Sequence, residues 1–108
     1  MKEFEKQVAR LLLEAAGLEA LFDILASAPD EEFEYTGHGY FLTIRHPRIP
    51  ADRCVLHEPM VAGRTGGVGE VGFLAFLENH EFMLECHSYG EGIPEDFRDR
   101  VVEIKVDK

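Results

Sequence analysis

The run LEALFDILASAPDEEFEYTGHGYFLTIR, Leu18 to Arg45, changes its hydrophobic period in the middle. Before Pro29 the apolar residues recur three or four apart; after it they alternate one by one. The first spacing lines one face of an α-helix and the second lines one face of a β-strand. Proline lacks an amide proton and disfavours helix in the residue before it, so Pro29 marks the end of the helical part.

Upstream, Phe4, Val8, Leu11, Leu12, Ala15, Leu18, Phe22 and Leu25 keep the helical spacing and predict a helix over Phe4 to Leu25. Their stripe turns by roughly 90° across Gly17. Glycine inside a helix costs about 1 kcal/mol relative to alanine, so Gly17 marks a kink or a site of close packing. Leu13, Ala16, Ala20 and Ile24 form a second ridge of mostly smaller residues, which predicts a homodimer through the N-terminal helix.

Downstream, Glu32 to Tyr35 and Tyr40 to Arg45 read as two strands joined by a tight turn at Thr36 to Gly39. HPRIPAD, His46 to Asp52, holds two prolines and reads as a loop. Cys54 to His57 is a short strand broken by Pro59, with Met60 to Ala62 continuing it. Val68 to Glu78 is apolar on both alternations, which predicts a strand buried on both faces or buried on one face and in an oligomer contact on the other. Glu78 to Glu81 turns into Phe82 to His87. Pro94 opens a short helix through Asp99, with Glu95 and Asp96 suited to its positive end. Val102, Ile104 and Val106 alternate as a closing strand. The fold class is α+β: an N-terminal helix on a mainly antiparallel sheet of five to six strands, one domain over residues 1–108.

Composition narrows function by exclusion. The formal net charge is -10, which disfavours nucleic acid and anionic membranes, both of which require clustered Lys and Arg. No apolar run approaches membrane-spanning length, and the N-terminus lacks the apolar core of a secretory signal. Two cysteines, Cys54 and Cys86, suit a reducing, cytoplasmic compartment.

GRTGGVG, Gly63 to Gly69, has the glycines of a phosphate loop but leads into a strand, with neither the lysine nor the helix such loops use, and reads as a hairpin connection. Cys54, His57, Cys86 and His87 are a zinc donor set by type, yet residues three apart or adjacent on a strand face opposite sides and do not converge. Cys86 sits in an apolar alternation and does not suit a nucleophile. Glu85 and His87 lie side by side on one face, the beginning of a general base, in a row with Tyr89. No cofactor, metal or catalytic set is assigned.

Acidic residues cluster at 31–34, 78–85 and 91–99. The second and third, through Glu81, Glu85, Glu91, Glu95 and Asp96, predict one patch that steers a basic protein. GHGYF at Gly37 to Phe41, ADRC at Ala51 to Cys54 and FLENHEFML at Phe76 to Leu84 are similar to the cytosolic haem-carrier proteins of bacterial haem utilisation; the loop after Ile44 and the chain length differ from that family. The resemblance implies a haem carrier with His38 or His46 as axial ligand. Two readings therefore stand: a non-catalytic protein-binding domain, and a small-ligand carrier or enzyme with a pocket between helix and sheet, where His38, His46, His57, His87 and Tyr89 would serve.

Overall fold

A computed structural model describes residues 1–28, 31–90 and 92–107. Helix α1 (Glu3–Ala15) is followed by a 3₁₀ turn (Glu19–Leu21), helix α2 (Phe22–Ser27), strands β1 (Glu32–Tyr35), β2 (Gly39–Arg45), β3 (Cys54–Arg64), β4 (Val71–Glu78) and β5 (Glu81–Ser88), a second 3₁₀ turn (Phe97–Asp99) and strand β6 (Glu103–Asp107). All strand pairs are antiparallel, in the order β1-β2-β5-β4-β3-β6. The expected helix on an antiparallel sheet is what the chain adopts.

The N-terminal helix does not run through to Leu25. Gly17 takes a φ of 73°, its N–H bonds the Glu14 carbonyl at 3.1 Å, and the Leu18 N–H reaches back to the Leu13 carbonyl at 2.8 Å. These two bonds close the helix end in the manner that glycine permits at low steric cost. Gly17 is thus a stop rather than a kink. It divides the small-residue ridge: Leu13 is buried in the core, while Ala16 and Ala20 are exposed on either side of the break. The surface expected to hold a second copy is therefore not continuous. Pro29, expected to end the helix, lies outside the described residues; α2 ends at Ser27.

One sheet face carries Tyr40, Leu42, Ile44, Leu56, Val61, Phe73, Ala75, Leu77, Phe82, Leu84 and Cys86, packed with Phe4, Val8, Ala9, Leu12 and Leu13 of α1 into one core. The buried stripe of α1 is offset from the expected one, since Ala15 is exposed and Leu11 only half-buried. Ile49, in the loop between the expected prolines, is also a core residue.

The hairpins follow the turn chemistry. Asn79 and His80 have φ of 52° and 61°, the double positive φ that suits the twist of a two-residue β-hairpin. Glycine-rich 65–70 joins β3 to β4, and Arg64 pairs with Glu70 across its ends at 3.4 Å. This is the expected connection, with its arginine already paired. β3 is one strand rather than two, because a register shift between Leu56 and Val61 absorbs Pro59. The short helix after Pro94 is reduced to the single turn at Phe97.

Candidate functional site

The registers allow the other sheet face to be read as rows across the strands. One row runs Glu32, Thr43, Met83, Phe76, Val55 through β1, β2, β5, β4 and β3. The next runs Glu34, Phe41, Glu85, Leu74, and a third runs Gly39, His87, Gly72, Ala62, Lys105. Phe41, Leu74, Phe76 and Met83 are half-buried by their neighbours and Val55 is exposed. No described helix covers these rows, because both helices lie on the core side with the inward residues.

Carboxylates border the apolar rows. Glu32 takes two hydrogen bonds from Arg45, at 2.6 and 3.1 Å, and that arginine also pairs with Glu81 at 3.1 Å. The hydrogen bond from Arg45 and its charge hold the Glu32 carboxyl below its ordinary range. Arg53 pairs with Glu78 at 3.0 Å and lies over the Phe76 ring at 5.9 Å. Glu81, Arg53, Phe76 and Met83 line one shallow depression of about 320 Å³ here.

Of the residues expected to form a single acidic patch, Glu81 and Glu85 lie on this open face, since they alternate with buried Phe82, Leu84 and Cys86. Glu95 and Asp96 belong to the segment that leads into the Phe97 turn. Phe97 packs edge-on against Phe4 of α1 at 5.9 Å, and Asp96 pairs with Arg100 at 3.3 Å. Glu91 lies outside the described residues.

The expected ligand residues are only partly gathered. His38 is exposed in the β1–β2 turn, and its carbonyl accepts the Ser88 N–H at 2.8 Å, which brings it to the same sheet end as His87 and Tyr89. His46 is at the far end of β2, where its Nδ1 accepts the Arg48 N–H at 3.1 Å. His57 is exposed on β3. The Glu85, His87, Tyr89 row does form: Glu85 Oε2 lies 3.3 Å from His87 Nδ1, and the His87 and Tyr89 rings meet edge to face at 5.3 Å. That Nδ1 is shielded from solvent and has no hydrogen bond, so the carboxylate is near it but off the hydrogen-bond axis. Gly72 makes room for the pair, since a Cβ there would meet Tyr89 Oη at 2.2 Å and His87 Nε2 at 2.7 Å.

Cys86 is buried, and burial pushes its thiol well above the ordinary range, with Glu5 and Glu85 adding to the effect. Such a thiol is not a nucleophile at neutral pH. Cys54 faces the core side with Leu56 and Leu77. Among the described residues no group of three or more His, Cys, Asp or Glu is placed to hold a metal ion.

A polar cluster that the sequence reading missed lies on the helix side. Glu5 is completely buried. Its carboxylate accepts the Lys2 N–H at 2.8 Å, the Tyr40 hydroxyl at 2.6 Å and two bonds from Arg98 at 2.7 and 2.8 Å. Arg98 lies over the Phe33 ring at 4.9 Å and contacts Glu31, which also takes the N-terminal amine. Burial by itself would raise the Glu31 carboxyl, but the amine and Arg98 outweigh it and lower it. Burial, with the Glu5 charge, pushes the Tyr40 phenol far up. The signal was available: Glu5 stands three, four and seven residues before Val8, Ala9 and Leu12, inside the apolar stripe, where a carboxylate needs partners.

Beside this cluster a groove of about 810 Å³ runs along the outer side of α1, with Lys2, Lys6, Arg10, Arg98 and Arg100 among its lining. Lys2 pairs with Asp99, Lys6 with Glu3 and Arg100 with Asp96, so most of this positive charge is locally balanced. No protein-family model, curated protein or solved structure matches the chain, and the likeness to haem carriers rests on its quoted residues alone.

Proposed function

We propose that the chain is a non-catalytic protein-binding domain that receives a basic protein on the open face of its sheet. The observation that supports this is the pair of apolar rows through Phe41, Leu74, Phe76 and Met83, left uncovered by the helices and bordered by Glu32, Glu34, Glu78, Glu81 and Glu85. Covering apolar surface drives association, at about 25 cal/mol per Å² removed from water. Bordering carboxylates steer a cationic partner and reject an anionic one. Glu95 and Asp96 precede the Phe97 turn, with Asp96 paired to Arg100, and add to the steering at long range. Its setting is the cytoplasm, which agrees with two free thiols and with the finding that no described helix is long and apolar enough to cross a membrane.

The test is a pull-down from the native host with the wild-type chain and with Leu74→Glu/Met83→Glu, both checked for fold by circular dichroism. A protein held by the wild type, lost by the variant and released by moderate salt supports the reading. Retention of nothing, or equal retention by both chains, overturns it.

One observation favours a small-ligand reading: Glu85, His87 and Tyr89 meet at one end of the open face over the glycine at position 72. Titration with hemin and with divalent metals, read by absorbance, tests it. A spectral change abolished by His87→Ala would favour it over protein docking; silence with every ligand removes it.

A further inference from the structure

β6 ends the sheet. It pairs with β3 through Met60–Arg64 and is the last strand in the order, so its second edge faces no other described strand. A free edge presents unpaired N–H and C=O groups that accept another strand. Val101, next to it, is 92% exposed, and Ile104 is only partly covered by the core.

The sequence of this edge selects what it can pair with. If two copies of β6 meet antiparallel about a twofold axis, facing residues share a sheet face, and the axis must pass through one residue. An axis through Glu103 sets that glutamate against itself, and an axis through Lys105 sets lysine against lysine. An axis through Ile104 sets Glu103 against Lys105 twice, Ile104 against Ile104 and Val102 against Val106. Opposite charges directly across a strand pair stabilise it and like charges weaken it. Of these three only the last sets opposite charges across the pair; an axis through Val106 would also do so, Lys105 against Asp107, but it faces Ile104 with Lys108, whereas the Ile104 axis brings Val102, Ile104 and Val106 together on the core side.

We propose that β6 is a self-recognition edge: two copies of this chain join β6 to β6 in antiparallel register centred on Ile104, extending both sheets into one. This contact leaves the open face free, so it stands independently of the binding function proposed above. The net charge of -10 opposes approach of two copies, and that repulsion is screened at moderate salt.

The full chain is to be examined by sedimentation equilibrium over a range of concentrations at about 0.15 M salt. The wild type associates to dimers. Lys105→Glu, whose cross-strand neighbour within the chain is Ala62, turns both facing pairs into Glu against Glu and weakens the dimer about tenfold or more. The swap Glu103→Lys/Lys105→Glu, made in an Arg64→Gln background because position 103 faces Arg64 within the chain, restores opposite charges and restores the dimer. In a Cys54→Ser background, Ile104→Cys forms an intermolecular disulfide, because facing Cα atoms are about 5 Å apart. Val102→Cys does not, because the two copies of that residue are separated by roughly 14 Å. A wild-type chain that stays monomeric, a dimer indifferent to Lys105→Glu, a swap that leaves it broken, or equal crosslinking at 102 and 104 would each overturn the proposal.

Discussion

Glu5→Ala removes the acceptor of four hydrogen bonds at once: those from the Lys2 amide, the Tyr40 hydroxyl and the two Arg98 nitrogens. The side chain is fully buried and that of Arg98 is 16% exposed, so water does not readily replace what is lost. Breaking a buried ion pair by deleting one partner costs about 3–5 kcal/mol, chiefly because the other charge stays behind uncompensated. A domain of this size has about 5–15 kcal/mol of stability in total. The expected loss of about 4 kcal/mol is therefore a large share of the whole, and corresponds to a fall in Tm on the order of 15–20 °C.

Urea unfolding followed by circular dichroism measures this directly. The control is a triple variant, Glu5→Met/Tyr40→Phe/Arg98→Met, which removes every member of the cluster. If the cost comes from stranded polar groups, the triple variant recovers most of the stability, since well-packed apolar groups replace buried ion pairs at little net cost. A loss below about 1 kcal/mol in Glu5→Ala, or a triple variant no more stable than the single one, would refute this account of the cluster.

Gly39→Ala is expected to cost at least about 2 kcal/mol by the same measurement, because its Cβ would lie 1.8 Å from the Cys86 carbonyl oxygen, a backbone atom that cannot step aside. Gly66→Ala, with nothing within 4 Å, is its near-neutral control. Gly17→Ala loses about 1 kcal/mol through its left-handed φ, and Gly17→Asn loses less. At high pH both Cys86 and Tyr40 have folded-state pKa values raised above their unfolded ones; their contributions are complete below the unfolded values and are lost as pH rises. Unfolding titrations should show stability falling from about pH 8.5, more steeply from about pH 10, and Cys86→Val should abolish the first phase. At low pH the lowered Glu31 carboxyl works in the opposite sense, and its contribution is lost as pH falls below roughly 4. In partner binding, Glu85→Gln should weaken capture more than Glu81→Gln, and equal effects in a salt-dependent pull-down would count against the proposed role of the open face.

The layers of this fold were legible because period alone decides which face a side chain takes. Alternation in β4 and β5 places Phe73 and Leu84 inward and Phe76 and Glu85 outward, as observed. Strand order was not legible. β2 pairs with β5 and β3 with β6 across some forty residues of chain, and alternation states only which way a side chain points, never which strand lies beside it. For the same reason alternation puts Glu81 and Glu85 on one face but says nothing of where Glu95, in the segment beyond β5, lies. Gly17 was misread for a local reason: a glycine in a helical pattern is compatible with a kink or a stop, and the choice is made by the backbone bonds to Leu13 and Glu14.

Net charge likewise hides how differently the carboxylates are situated, and the difference follows from where the cations lie. Arg98 holds Glu5 and Glu31, Arg45 holds Glu32 and Glu81, Arg53 holds Glu78, and Arg64 holds Glu70. Glu34 has no cationic partner among the described residues, and Glu85 has only the imidazole of His87. These two share one row with Phe41 and Leu74. A cation from outside that approached Glu81 would compete with Arg45 and gain little from the exchange. One that approached Glu85 would meet a carboxylate without lysine or arginine, beside apolar side chains whose covering excludes water and strengthens the attraction. The row through Glu34 and Glu85 is therefore where a basic partner gains most, and it coincides with the part of the sheet that the chain's own helices leave open.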